Sequence, residues 1–443
     1  MIEPDQSSLA AAVLESLAGR SLSGGEILLK QGRSRRCEKG PQGQVISSSQ
    51  EQGWAIRATN SRASVYFSGT GVPSPTSRWP DPDGQSLQLP PLQATEDWQP
   101  PADLDASLMS EAESIGLLAG IERELTRELP GARILRAHLE EGTSETSIFS
   151  STGIAVGYRS RAASLHLHAL GPWAGSSAAM MLLAEREMRR FQPVAIAKRL
   201  ANRLLLEHEG EAPSRERGDV LLGPAIGIRL LDGLRPLLIG RNAEKWVAGF
   251  TDPQGRLGSR SLTIIDNGRL AGGVLEAPVD GEGVPTCEVV LIEKGLYRQP
   301  LLGWDQVSDM DPERPRIAGH RRREGWQDLP RLGPSHLYIR PEGSVPVSSL
   351  LSSIARGHYL IEPIGAARYD FQADRFQLRV CGFTVQQGVA TAPLSGVFLE
   401  GSISSLLRGI KAVARDLLFE PLGGMIGSPT LLVAGLGIRS ADE

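Results

Sequence analysis

Cysteine is scarce in this chain of 443 residues, which contains only Cys37, Cys287 and Cys381. Three widely spaced cysteines form neither the disulfide framework of a small secreted domain nor a Cys-x-x-Cys metal site. The first 30 residues also lack the basic region and the apolar run of a secretory signal. We therefore expect a protein that works in a reducing compartment, the cytoplasm.

Long hydrophobic runs and an excess of positive charge are absent as well. Nowhere do 18 apolar residues follow one another, so no membrane-spanning helix is predicted. The 47 basic and 51 acidic residues give a net charge of −4, which provides no global field to attract nucleic acid or an anionic membrane. One basic run, residues 320–323, could contact phosphates, but a solvated loop is favoured because no aromatic residues interrupt it.

The sequence also lacks the common catalytic motifs: it has no GxSxG, GxxxxGK[ST] or HExxH, and no GxGxxG follows a predicted strand. None of its seven histidines lies between residues 209 and 319. His166 and His168 share one face of a predicted strand and could form half of a metal site, although a solvated strand face is favoured. Cys381 lies in an apolar segment, where a small buried side chain is favoured over a nucleophile.

Glycine and proline are abundant, with 50 and 30 residues, and this composition favours turns and short strands over a helical bundle. Eight prolines fall within residues 71–103, which predicts a long surface loop. Apolar periodicity before residue 210 predicts helices at 7–18, 105–129 and 176–208, the last broken by Pro193. It also predicts strands at 54–57, 63–68, 134–140, 146–150, 154–158 and 163–170.

The second half of the chain is predicted to consist of short strands with one helix. Strands are expected at 262–266, 289–293, 337–340, 359–364, 377–386, 396–403 and 430–438, and the helix at 404–419. The fold class is therefore α+β, with an N-terminal helix-and-sheet domain (1–212) and a C-terminal, mostly antiparallel β domain (213–443).

One acidic turn, DGEGVP at residues 280–285, separates two strand-like segments. Its carboxylates, Asp280 and Glu282, could hold a cation or receive a peptide amine. A structural turn whose carboxylates accept backbone N–H groups is favoured. We expect Gly281 and Gly283 to adopt positive φ angles, which glycine tolerates best.

The same turn belongs to a series of segments that, in order, resemble the TldD/PmbA family, and its TldE (PmbA) branch in particular. The segments span roughly residues 50–440 and are GWAIR (53–57), IFSSTG (148–153), SLTIIDNG (261–268), Gly272–Gly273, PVDGEGVPT (278–286), LIEKG (291–295), LYI (337–339), GHY (357–359), Pro393–Leu394 and GSP (427–429).

The resemblance implies a heterodimeric peptidase of a TldD-like and a TldE-like subunit. The TldD-like subunit carries zinc on an HExxxH helix together with a distant cysteine, and it cleaves peptides, including leader peptides of ribosomally made, modified peptides. In this chain the helix would fall within residues 219–245, which contain no histidine. Cys381 lies near the segment that holds the TldD cysteine, but it cannot form the site without the histidines.

These observations predict a TldE-like subunit with no catalytic and no metal-binding residues of its own, whose zinc is expected in the TldD-like partner. Asp280, Glu282 and Gly283 are expected to face the peptide substrate or the partner. One alternative is a stand-alone scaffold or interaction protein, perhaps homodimeric and without peptidase activity. Another is an independent enzyme with a chemistry that the sequence does not reveal.

Overall fold

The computed structural model describes residues 4–19, 22–76, 81, 84–93, 98–173, 178–211, 216–307, 316–341, 343 and 345–440. The helices of this part are α1 (Pro4–Ala18), α2 (Glu111–Glu128), α3 (Pro193–Glu209), α4 (Pro224–Gly233), α5 (Ala243–Phe250), α6 (Trp304–Val307), α7 (Val347–Ser352) and α8 (Ile403–Arg408). Among the described residues, every helix is too short or too polar to traverse a bilayer.

The N-terminal half is built on one antiparallel sheet of seven strands in the order β4-β3-β2-β1-β5-β6-β7. The strands are β1 (Gly24–Gly40), β2 (Gly43–Thr59), β3 (Ala63–Thr70), β4 (Gly84–Gln85), β5 (Arg133–Ser150), β6 (Ala155–Leu170) and β7 (Ala178–Glu185). Side chains alternate between the two faces of a strand. On one face, buried residues such as Leu139 and Leu165 pack against α2 and α3. Ile27 and Phe149, further along the same face, pack against α1.

The C-terminal half contains two larger sheets. The first has the order β15-β8-β22-β18-β17-β16, with one more strand on β22, and comprises β8 (Glu216–Leu222), β15 (Arg356–Pro363), β16 (Arg368–Asp370), β17 (Arg375–Gln386), β18 (Val389–Gly401), β19 (Ile410–Val413) and β22 (Leu431–Ser440). The second has the order β11-β10-β9-β14-β21-β20 and comprises β9 (Ile264–Asn267), β10 (Glu288–Glu293), β11 (Leu296–Tyr297), β14 (His336–Ile339), β20 (Leu418–Pro421) and β21 (Met425–Ser428). A small hairpin joins β12 (Arg321–Arg322) to β13 (Arg331–Leu332).

The core of this half lies between its two sheets and the helices α4, α5 and α8, which contribute residues such as Ile226, Phe250 and Leu407. Most strand pairs are antiparallel; β8–β15 and β14–β21 are parallel pairs. The predicted α+β class with a mostly antiparallel C-terminal half is confirmed. The predicted boundary between residues 212 and 213 falls within 212–215, outside the described residues.

Several predicted elements differ from the structure. The helix predicted at 105–129 begins only at Glu111, because Ser110 and Glu113 form a capping box there. The first half of the helix predicted at 176–208 lies partly outside the described residues, and its described part comprises strand β7 and a 3-10 turn at Met188–Arg190. Within β7 the burial alternates, with Ala179 and Met181 buried and Met180 exposed, because β7 pairs with β6 at the edge of the sheet.

The helix predicted at 404–419 is wrong beyond Arg408. Gly409 ends α8, and the chain then pairs Ile410 and Val413 with β22. A helical period and a buried strand both place apolar residues on one side of a short segment, so the pattern alone did not distinguish them. In the proline-rich segment 71–103, the described residues are irregular apart from the short strand β4 and the start of a 3-10 turn at Ala102–Asp105.

Candidate functional site

A groove of about 1000 Å³ lies between the two halves of the molecule. Its floor is the face of the N-terminal sheet that the helices leave uncovered. Its opposite wall consists of two C-terminal segments, residues 274–281 and 321–327. Trp326 fixes the second segment to the floor, since its ring lies against Gly53, where an added Cβ atom would come within 2.3 Å of it. The groove therefore exists only where the two halves meet.

Side chains alternate between the two faces of a strand, and those that face the groove floor are mostly small or polar. Small residues occupy alternate positions on three adjacent strands: Gly32 and Ser34 on β1, Gly142 and Ser144 on β5, and Ser160 and Ala162 on β6. One register row further along, Lys30 pairs with Thr146, and Thr146 pairs with Tyr158. Because these three residues are in register on adjacent strands, their side chains form a polar row across the floor.

Asp280 lies in the wall of the groove, at the start of the predicted acidic turn. Its Oδ1 accepts hydrogen bonds from the backbone N–H groups of Glu282 (2.9 Å) and Val284 (3.0 Å), and its Oδ2 accepts one from Arg321 (3.0 Å). Burial raises the pKa of Asp280, and the neighbouring Glu282 adds to this shift. The Asp280 carboxylate therefore holds the backbone of the acidic turn, and that of Arg321, in place through these three hydrogen bonds.

The conformation of the two glycines agrees with the prediction at one position only. Gly283 has a φ of +80°, as expected, and an added Cβ would lie 2.8 Å from Ile154, in the turn between β5 and β6. Gly281 does not have a positive φ, so that prediction is wrong. It is instead confined by the β12 backbone, because an added Cβ would lie 2.9 Å from the carbonyl oxygen of Arg321.

Glu282 lies in the interface between the halves rather than in the groove. Its Oε1 is 2.7 Å from Nη1 of Arg57 on β2, and its Oε2 is 3.3 Å from Nε of Arg321. Nη2 of Arg57 also lies 2.5 Å from Oε2 of Glu26 on β1. Oε1 of Glu26 in turn lies 2.5 Å from Nη2 of Arg323. Burial alone would lower the pKa of Arg57, but the two glutamates raise it, so Arg57 stays charged. For Glu282, burial outweighs the arginines and raises the pKa.

Two further arginines, the buried Arg186 and the partly buried Arg199, join distant parts of the chain. Arg186, only 2% exposed, donates to Asp103 at 2.6 and 2.7 Å and to the carbonyl oxygen of Gly273 at 3.1 Å. Arg199 on α3 reaches Glu362 at 2.8 Å and Glu420 at 2.6 Å in the C-terminal half. Sequence reasoning missed these contacts. An arginine within an otherwise apolar strand or helix, such as Arg57 in WAIR (54–57), is the sequence pattern that could have indicated buried ion pairs of this kind.

The other candidates from the sequence do not converge on the groove. Cys381 is buried, as predicted. His166 is exposed on β6, and burial lowers its pKa while the nearby His138 and His168 act in the same direction. The basic run 320–323 is not a solvated loop: His320 is buried, and burial lowers its pKa to about 4. Arg321, Arg322 and Arg323 are half-buried in the groove wall.

Residues 215–440 match a family model described as the PmbA/TldA metallopeptidase C-terminal domain, which is about half of the chain. The chain belongs to the TldD/PmbA family. Over 180 residues it is 30% identical to a metalloprotease of Methanocaldococcus jannaschii (40% of this chain, 38% of that protein). Over 233 residues it is 27% identical to a metalloprotease TldD homolog of Buchnera aphidicola (52% and 47%). The matches span less than half the length of these curated relatives.

Two solved structures share the fold. TldE from Thermococcus kodakarensis aligns with a TM-score of 0.81 at 16% identity, over 98% of this chain and 100% of that one. A Thermotoga maritima protein, described as a modulator of a DNA gyrase, aligns with a TM-score of 0.79 at 16% identity and the same coverage. At this level of identity the likeness concerns the fold alone.

The zinc of a TldD/PmbA metallopeptidase does not fit the residues that this chain offers. Within residues 219–245 the structure has α4, which contains no histidine, and α4 directs Arg229 to Glu420 at 3.3 Å. Burial raises the pKa of Cys381 to about 12, which disfavours the thiolate that zinc requires. Glu362, a carboxylate whose charge acts on Cys381, is held by Arg199. In the described part of the chain, no three His, Cys, Asp or Glu side chains converge as metal ligands.

Proposed function

We propose that this chain is the zinc-free, TldE-like subunit of a heteromeric peptidase. A TldD-like subunit would carry the zinc and cleave the peptide, and this chain would complete the chamber and guide the peptide in the cytoplasm. The substrates would be peptides for degradation or leader peptides of ribosomally made, modified peptides. Asp280 would shape the wall of the channel directly, and Glu282 and Gly283 would do so by docking the acidic turn onto the N-terminal half.

One observation carries the proposal: a chain of this metallopeptidase family forms an open groove between its halves, while the segment expected to carry the zinc, residues 219–245, contains no histidine. A zinc peptidase needs protein ligands and an activated water. A groove floored by polar strands suits an extended peptide, whose backbone donors and acceptors must be satisfied on binding. Binding and shaping are therefore better supported for this chain than bond cleavage.

The test is co-expression of the tagged chain with the TldD-like subunit of the same organism. We expect the two to co-purify, the pair to contain about one zinc per TldD-like subunit, and only the pair to cleave peptides. The chain alone, and its Cys381→Ser variant as a control, should contain no stoichiometric zinc by elemental analysis. Zinc bound to the chain alone, with peptidase activity that chelation abolishes, would contradict the proposal. A homodimer that ignores the TldD-like subunit would favour the scaffold alternative.

A further inference from the structure

The cations that line the groove differ in how they are neutralised. Three arginines are paired with carboxylates: Arg161 with Glu141 at 2.7 Å, Arg321 with Asp305 at 2.6 Å and Arg323 with Glu26 at 2.5 Å. Lys30 and Arg322 make no ion pair within the described residues. The one hydrogen bond that the Arg322 side chain donates there goes from its Nη1 to the carbonyl oxygen of Pro334, at 3.0 Å. A third cation of the groove, the exposed Arg33, also makes no ion pair within the described residues, and its Nε donates to Oγ1 of Thr143 at 3.3 Å. The groove thus holds two half-buried cations, Lys30 and Arg322, that lack a carboxylate partner.

Both cations are also partly withdrawn from water. Lys30 and Arg322 are half-buried, and this burial lowers the pKa of each. The carboxylates that act on them from a distance are Glu51 and Asp328 for Lys30, and Asp266 and Glu324 for Arg322. None of these comes within ion-pair distance. A cation that is partly removed from water and has no charged partner raises the free energy of the folded protein. Binding of an anion lowers this free energy again, so two such cations in one groove are typical of an anion-binding site.

The fold places the two cations in one groove. Lys30 stands in the polar row of the floor, beside Thr146 and two strands from Tyr158. Arg322 comes from the opposite wall, and its charge acts on the pKa of Tyr158, so the two groups are electrostatic neighbours. Burial raises the pKa of Tyr158, which therefore keeps its phenolic proton and can donate it in a hydrogen bond.

We propose that Lys30 and Arg322, with Tyr158 between them, form a carboxylate-binding site at the bottom of the groove. The carboxylate is that of an extended peptide: either an acidic side chain or the C-terminal carboxylate. The small floor residues beyond the polar row, Gly32, Ser144 and Ser160 among them, leave room for the rest of the peptide. The identity of the ligand as a peptide rests on the proposed function, whereas its negative charge rests on the two cations.

The test measures fluorescence anisotropy of labelled eight-residue peptides with the full chain. One peptide carries glutamates and an amidated C-terminus, a second has a free C-terminus and no acidic side chain, and a third has neither carboxylate. We expect the first or the second to bind at least tenfold more tightly than the third, and whichever does so identifies the source of the carboxylate. Raising the salt concentration should weaken that peptide only, and modestly, because salt screens partly buried ion pairs less than exposed ones.

Variants then assign the effect to the two cations. Lys30→Gln and Arg322→Gln should each weaken binding of the carboxylate peptide about tenfold and leave the third peptide unchanged. Lys30→Arg should retain binding. Lys198→Gln and Arg375→Gln remove exposed cations outside the groove and serve as matched controls with no expected effect. If a groove variant does not fold, the salt dependence and the peptide comparison on the unmodified chain still decide the matter.

Equal affinity of the full chain for all three peptides would overturn the inference. So would a loss of binding in the control variants as large as in Lys30→Gln and Arg322→Gln. The inference and the proposed function fail separately. A chain that prefers carboxylate peptides but never associates with a TldD-like subunit refutes only the function, and an active pair without that preference refutes only the site.

Discussion

At the residue scale, a single glycine allows the acidic turn to dock. Gly283 combines a φ of +80° with close approach to Ile154, whereas Gly272 has a similar φ of +73° and nothing within 4 Å of its added Cβ. The two positions therefore separate backbone strain from steric exclusion. Both effects apply at Gly283, and only the first applies at Gly272.

We expect Gly283→Ala to lower the free energy of unfolding by about 2–4 kcal/mol and Gly272→Ala by about 1 kcal/mol. The loss is larger for Gly283→Ala because the new methyl group must displace Ile154. Urea denaturation of both variants measures the two losses of unfolding free energy. Equal losses would mean that the interface yields to the added methyl group without cost.

A buried carboxylate predicts a specific pH dependence. Asp266 accepts a hydrogen bond from the backbone N–H of Ser335 through Oδ1, and its buried Oδ2 has no hydrogen-bond partner among the described residues. Burial raises its pKa to about 7. Because the folded state binds this proton more tightly than the unfolded state, the contribution of Asp266 to stability falls as the pH rises from about 4 to about 7.

Asp266→Asn removes this titration. We expect the difference in unfolding free energy, variant minus unmodified protein, to become more positive by on the order of 2–4 kcal/mol between pH 4 and pH 7. Chemical denaturation at several pH values measures the difference. Taking the difference cancels the opposite trend of buried His320 and His336, whose pKa values burial lowers to about 4. A difference independent of pH would show that Asp266 stays ionised.

At the element scale, ion pairs tie the C-terminal turn to the N-terminal strands. The Glu282–Arg57 pair joins residues that are 225 positions apart, and both side chains are at most 8% exposed. Removing one member of a buried pair leaves the other charge in a poorly solvated place. The surface pair Glu293–Arg298, about half exposed, provides the matched comparison.

We expect Glu282→Gln to remain folded but to lose about 1–3 kcal/mol of unfolding free energy. Glu293→Gln should lose less than about 0.5 kcal/mol. Combining Glu282→Gln with Arg57→Met should cost less than the sum of the single changes, because the pair is then removed as a unit. Additive losses would indicate that Glu282 and Arg57 act independently.

At the scale of the whole molecule, the two halves are joined by several contacts that bury charge. Arg57 and Arg186 bond from the N-terminal half to the turn and loop of the C-terminal half, and α3 packs against β18 while Arg199 reaches Glu362. Opening this interface would expose unpaired charges on both sides. The halves should therefore stabilise each other.

We expect differential scanning calorimetry to show one cooperative unfolding transition for the full chain. The separate segment 215–440 should unfold at a lower temperature, because it loses the partners of Glu282 and Glu362. Arg57→Met should lower the transition temperature of the full chain without splitting it. Two well-separated transitions in the unmodified chain would show that the halves fold independently.

The sequence by itself determined the fold class, the family resemblance, the acidic turn and the alternation of β6. These features follow from local patterns: glycine and proline mark turns, and period-two burial marks a strand with one covered face. Only the tertiary structure decided that residues 178–185 and 410–413 are strands, that β1 and β2 extend through polar stretches, and that Lys30 and Arg322 face one groove. The physical reason is that ladder hydrogen bonds and ion pairs join residues far apart in the chain, and no local pattern records such partners.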